Sequence, residues 1–155
     1  MAMTAKQLEE AFRKSSKFDQ LLGMSFEVIK PGEVIYKMKV TKDHLSSPDT
    51  CHGGAIAAMM DAVLGLPVLS QAVEEGKLCA TVEFKINYIA PAKIGDELIG
   101  TNTIDFKGKS LVVSSGQIKN EKTGALLAKG LGTFNLYPAE KVTSFLGTEN
   151  EVDHD

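Results

Sequence analysis

Tryptophan is absent from the chain, cysteine occurs twice and histidine three times. Each scarcity removes a class of function. Two thiols, Cys51 and Cys79, are too few for a disulfide framework. The histidines, His44, His52 and His154, have no ligand spacing, so no metal centre is read and no cofactor is expected. No block of lysine or arginine occurs, and a formal charge of -3 supplies no net basic field for a phosphate backbone, so nucleic acid is not expected as a partner. Internal repeats and low-complexity tracts are missing as well. The N-terminal "MAMTAKQLEEAFRK" lacks the apolar centre of a signal peptide, and the expectation is a cytoplasmic protein with free thiols. Only one run, Ala55 to Val73, approaches membrane-spanning length, and it contains Asp61, Pro67, Ser70 and Gln71, which argues against a membrane role.

What is present is a chain of 155 residues, 43% hydrophobic and 24% charged, which matches a globular domain with a substantial core. The reading is one domain over residues 1–138, followed by an acidic, flexible tail over 139–155 that ends in "GTENEVDHD".

Periodicity orders the elements. Leu8, Ala11, Phe12 and Ser15 recur at helical spacing behind Thr4, a candidate N-cap, which predicts a short amphipathic helix over Ala5 to Lys17. "MSFEVIK" and "EVIYKMKV" flank Pro31-Gly32 and alternate at period two, as a β-hairpin does. A long apolar helix is predicted from Gly54 to Glu75, stopped by Gly76, with a kink or early end at Pro67. Period two returns at Leu78, with Val82, Phe84, Ile86 and Tyr88 on one face and Thr81, Glu83, Lys85 and Asn87 on the other. Three more strands, Glu97 to Phe106, Leu111 to Asn120 and Ala125 to Leu136, are separated by the glycine-containing links "KGKS" and "EKTG". Strands joined by tight hairpins are antiparallel, and a helix apolar on all sides is buried beside them only if the sheet curls around it.

Asp61 is the anomaly in that helix. A carboxylate surrounded by apolar side chains needs an outlet to water or a task.

The order of elements, "HGGAIAAMMD" at the head of the central helix, "YIAPAKIGDEL" from Tyr88 to Leu98, and "GKSLV" after a strand together resemble the hot-dog fold thioesterases. The likeness is to the PaaI-like, acyl-CoA-hydrolysing type of the 4-hydroxybenzoyl-CoA thioesterase superfamily, and it extends from about Leu21 to Leu136. It implies an α+β fold, a curled antiparallel sheet wrapped around one long helix. It also implies a homodimer, often paired into a tetramer, and acyl-CoA as substrate.

Thioester hydrolysis needs a donor for the developing oxyanion and an acid or base that attacks the carbonyl or activates water. The start of the central helix offers unpaired N–H groups, and Gly53-Gly54 lets a carbonyl approach them, so Gly53 N–H is the expected oxyanion donor. Asp61 is the expected nucleophile or general base. It lies eight residues, about 12 Å, farther along the same helix and cannot reach that donor in its own chain. A two-fold dimer with its helices antiparallel would bring Asp61 of one protomer to Gly53 of the other. The resemblance implies the same cross-subunit site, gives His52 a part in orienting the thioester carbonyl or the turn, and places at Thr81 a hydroxyl that holds the attacking water. At Ser46 some relatives carry an asparagine that positions substrate or water, and serine is a departure. Tyr88 and the hairpin residues Lys107, Gly108, Lys109, Ser110 and Leu111 fall where relatives contact coenzyme A.

Simpler roles stand beside these. His52 would equally serve to cap the turn, the hairpin lysines would equally be solvated, and Cys51 reads as a small apolar filler rather than a nucleophile. An acyl-thioester hydratase or dehydratase, or a non-catalytic acyl-CoA-binding module, would use the same fold. The acid on the helix with a histidine at its start matches the thioesterase pattern.

Overall fold

A computed structural model describes residues 2–141; the remainder of the acidic tail, 142–155, lies outside the described residues. Thr4 begins the first helix with a reciprocal cap, its hydroxyl accepting from the Gln7 N–H at 3.2 Å while the Gln7 side chain accepts from the Thr4 N–H at 2.9 Å. The helix expected over Ala5 to Lys17 is α1 (Ala5–Ser15), and a second helix that the pattern did not predict, α2 (Lys17–Leu22), follows Ser16, which has φ -77° and ψ 86°. The break holds because the Gln20 amide donates to the Arg13 carbonyl at 2.9 Å, supplying a partner that another helical turn would otherwise supply. Gly23, at φ 67°, ends α2 in the left-handed conformation.

The first hairpin, β1 (Met24–Lys30) and β2 (Glu33–Lys39), is as the alternation predicts, with Val34, Tyr36 and Met38 buried. A 3-10 turn, Lys42–His44, and a loop then lead to α3 (Gly53–Ala72), continued by a 3-10 turn to Glu75 and closed by Gly76 at φ 67°. Pro67 does not end this helix early. The expected cost of an internal proline, about 3 kcal/mol, is outweighed by burial on both sides of it, since Leu66, Val68 and Leu69 all lie in the core. Ser70 Oγ also donates to the Pro67 carbonyl at 2.7 Å.

Four strands follow: β3 (Lys77–Tyr88), β4 (Glu97–Lys107), β5 (Leu111–Asn120) and β6 (Leu126–Pro138). All pairings are antiparallel, in the order β1-β2-β4-β5-β6-β3, so β3 forms one edge of the six-stranded sheet. The sheet curls around α3 as a hot-dog fold. Close approach depends on two glycines: a Cβ on Gly100 would lie 2.3 Å from Val63 Cγ2, and one on Gly130 2.6 Å from Met60 Sδ. α3 is the one described helix long and apolar enough to cross a bilayer, and 67% of its most apolar window is buried within the protein.

β3 departs from simple alternation. Its pairing with β6 runs Thr81 to Phe134 and then Glu83 to Thr133, which leaves Val82 as an extra, bulged residue. The bulge reverses parity. Thr81 pairs with Phe134 and Phe84 with Gly132, and these two β6 residues point to the same side, so Thr81 shares the helix-facing side with Phe84, Ile86 and Tyr88. The sequence alternation had placed Thr81 opposite them.

Candidate active site

The start of α3 is organised by His52. With φ -63° and ψ 135° it is the N-cap, and its Nδ1 accepts from the Gly54 N–H at 2.7 Å. The capping role is therefore real. Gly54 makes room for it, because a Cβ there would sit 2.9 Å from the same Nδ1. The His52 carbonyl takes the Ala55 N–H at 3.0 Å, while the Gly53 N–H finds no acceptor among the described residues. Tyr88 Oη donates to the Gly53 carbonyl at 2.8 Å, and its ring passes within 3.4 Å of where a Gly53 Cβ would be. Tyr88 thus clamps the first turn from the end of β3. Beside it opens a cleft of about 340 Å³ lined by Gly53, Ile56, Tyr88, Pro91 and Leu127. Cys51 also borders this cleft; burial pushes its thiol above the ordinary value, which keeps it protonated and supports its reading as filler.

Asp61 opens elsewhere. It is half-buried in a second cleft, of about 200 Å³, between α3 and the N-terminal helices, with Phe12, Phe18, Gly65, Thr81 and Phe134 around it. Thr81 Oγ1 donates to Asp61 Oδ1 at 2.9 Å. The bulge at Val82 is what turns that hydroxyl toward the helix. Cys79, one inward position before Thr81, lines the same cleft, and its thiol is pushed up to about 12 by burial and then by the negative charge of Asp61. It stays a protonated thiol at neutral pH. Tyr36 also reaches the cleft; its hydroxyl donates to Asp19 Oδ2 at 2.8 Å. Burial first, then the charge and hydrogen bond of Asp19, then the charge of Asp61 raise its pKa far above the usual phenol range.

The other residues singled out in the sequence fall away from this acid. Ser46 is exposed in the loop before His52, with its hydroxyl 3.5 Å from the Thr50 carbonyl. Lys107 is ion-paired with Glu75, and Lys77 Nζ donates to the Lys109 carbonyl at 3.4 Å. The hairpin is closed by the Gly108 N–H on the Leu111 carbonyl at 2.7 Å, and the Ser110 carbonyl takes the Leu136 N–H at 2.8 Å. The hairpin therefore sits at the C-terminal end of α3, roughly 30 Å along the helix from Gly53. One protomer brings Asp61 to Thr81 and His52 to Gly54; the hairpin is remote from the His52–Gly54 turn, while its Leu111 stands across Asn135 of β6 from Ala80, the neighbour of Thr81. Sequence reading missed Phe18 and Asp19 as walls of the Asp61 cleft, because the pattern gave no helix beyond Lys17; an aromatic beside an acid was the only signal there. Among the described residues no cluster of His, Cys, Asp or Glu is placed to hold a metal ion.

A family model described as "Thioesterase superfamily" matches residues 49–126. The chain belongs to the thioesterase superfamily. Human acyl-coenzyme A thioesterase 13 is 31% identical to this thioesterase over 137 residues, 88% of this chain and 96% of that one. Among solved structures, zebrafish thioesterase superfamily member 2 superposes with a TM-score of 0.76 at 28% identity, covering 88% of this chain and 100% of that chain. The Escherichia coli PaaI protein superposes with a TM-score of 0.79 at 23% identity, covering 86% and 93%. The matched segment contains His52, Gly53, Asp61 and Thr81. Membership favours the thioesterase over the hydratase and the binding module, and the protein is a thioester-hydrolysing enzyme.

Proposed function

We propose that the enzyme hydrolyses acyl-CoA thioesters to the free acid and coenzyme A at a centre shared by two protomers. The observation that carries this reading is the separation within one chain: Gly53 and Asp61 lie on one helix, yet the Gly53 N–H borders one cleft while Asp61, with Thr81 of β3, lines another. The edge strand supports a partner. β3 offers 12 residues of edge, with Val82 59% exposed on it; the bulge interrupts pairing at Val82 and leaves the stretches on either side open to a second strand. Two such edges meeting antiparallel set the two α3 helices antiparallel, with Asp61 of one facing Gly53 of the other. The human relative's name carries acyl-coenzyme A, which fits a long substrate spanning the Gly53 cleft of one protomer and the Asp61 cleft of its partner.

In this reading Thr81, having given its hydrogen to Asp61 Oδ1, keeps lone pairs that accept from a water. Asp61 Oδ2, which has no partner among the described residues, takes a proton from that water as its oxygen bonds to the thioester carbon. The carbonyl oxygen becomes an oxyanion and accepts from Gly53 N–H. Collapse of the intermediate breaks the carbon–sulfur bond, and the proton held by Asp61 passes to the departing thiolate. His52 acts by holding the turn that presents Gly53. Tyr88 and the hairpin from Lys107 to Leu111 are left as contacts for the coenzyme A portion, with Lys107 available only as part of its pair with Glu75. Steady-state release of coenzyme A from a panel of acyl-CoAs tests the reading. Wild type is expected to turn over at least one panel member, and Asp61→Asn to keep its fold and assembly while losing turnover. Full turnover by Asp61→Asn would refute it.

A further inference from the structure

His44 has no part in the chemistry proposed for the centre, yet it joins the wall of the Asp61 cleft to the start of α3. It is only 6% exposed, at the end of the 3-10 turn before the His52 loop. Its Nδ1 accepts from the Thr41 N–H at 3.0 Å, so Nε2 carries the hydrogen and donates to the Leu22 carbonyl at 2.9 Å. Its own carbonyl accepts from the His52 N–H at 2.7 Å. Leu22 is the last residue of α2, the helix that contributes Phe18 and Asp19 to the Asp61 cleft, and its carbonyl is one of those a helix end leaves without an internal partner. His52 is the cap behind the Gly53 N–H.

We propose that His44 is a positioning residue: its ring fixes the α2 wall against which the acyl group rests, and its backbone fixes the turn that presents the oxyanion donor. The proposal rests on the acyl-CoA thioesterase reading. A displaced α2 widens the cleft and lets the 3-10 turn shift, and the His52 N–H bond then shifts with it. In the dimer the two structures held by one His44 serve different centres, so loss of the ring tie disturbs both.

Two substitutions separate the contacts. His44→Asn keeps an acceptor near the Thr41 N–H but is too short to reach Leu22, whereas His44→Gln places an amide nitrogen near the position of Nε2. In the full chain, hydrogen exchange of His44→Asn is expected to accelerate over both residues 17–22 and residues 53–57. KM for the longest acyl-CoA that wild type accepts is expected to rise about fivefold or more, with a smaller fall in kcat, and His44→Gln is expected to return KM toward wild type. A folded His44→Asn with acceleration confined to one segment, or with wild-type KM, overturns the proposal. Should His44→Asn not fold, His44→Leu, which fills the ring's space without either hydrogen bond, decides it: protection lost at both 17–22 and 53–57 supports the Nε2 tie, and wild-type protection at either segment overturns it. Exchange is read without turnover, so a wild type that hydrolyses no acyl-CoA would refute the functional reading while leaving this coupling measurable.

Discussion

The Thr81 hydroxyl donates to Asp61 Oδ1 at 2.9 Å, from the edge strand to the central helix. The contact exists because Val82 is an extra residue in the ladder, and a regular strand with the same residues beyond it would turn Thr81 away. Thr81→Val keeps the shape of the side chain and removes the donor. It is expected to lower kcat about tenfold or more, with Thr81→Ser close to wild type, when both are assayed for coenzyme A release. Equal rates for Thr81→Val and wild type would show that the hydroxyl only fills space.

His52 has a structural duty that can be separated from any chemical one. Its Nδ1 caps α3, and loss of such a cap costs about 1 kcal/mol. Thermal or denaturant melts are expected to show that loss for His52→Ala and its recovery in His52→Asn, since asparagine is a strong N-cap. If turnover recovers together with stability in His52→Asn, the histidine acts through the turn. If stability recovers and turnover does not, the imidazole contacts the substrate.

Alkaline pH exposes the buried acids. An unfolded cysteine ionises near 9.0, whereas folded Cys79 holds its proton to about 12, so the unfolded state releases a proton that the native state keeps. Stability is therefore unaffected below about pH 9 and falls as pH rises from about 9 toward 12. Tyr36 adds to the decline above its ordinary value of 10.0, because its native pKa is raised as well. Melts across this range are expected to show Tm falling above about pH 9, with a shallower fall in Cys79→Ala than in wild type. An unchanged slope would place the alkaline loss elsewhere.

Much of the fold is legible in the sequence because long periodic segments dominate it. The alternation of Val34, Tyr36 and Met38 is the buried face of β2, and the boundaries of β4 and β5 fall within a residue of those read from the pattern. Asp61 is legible as an anomaly, an acid where only apolar residues belong. What the pattern hides is local and tertiary. A bulge adds one residue without changing composition, so the side of Thr81 is misread from β3 alone. The break at Ser16 depends on Gln20 reaching back to Arg13, and the survival of the helix through Pro67 depends on burial by distant strands. His44 gives no periodic signal at all; the role proposed for it follows from contacts with Thr41 in its own turn, Leu22 at the end of α2 and His52 in the next loop.

Complementation between protomers tests the shared centre most directly. Gly53→Pro removes the N–H itself, at a first helical position that accepts proline and behind a His52 already extended at ψ 135°. Paired with Asp61→Asn in mixed dimers purified through two different tags, it leaves one centre with both defects and the other with neither. Each variant alone is expected to be inactive, and the mixed dimer to regain about half of wild-type turnover. Mixed dimers as inactive as their parents would place Gly53 and Asp61 in the same protomer's centre and contradict the account.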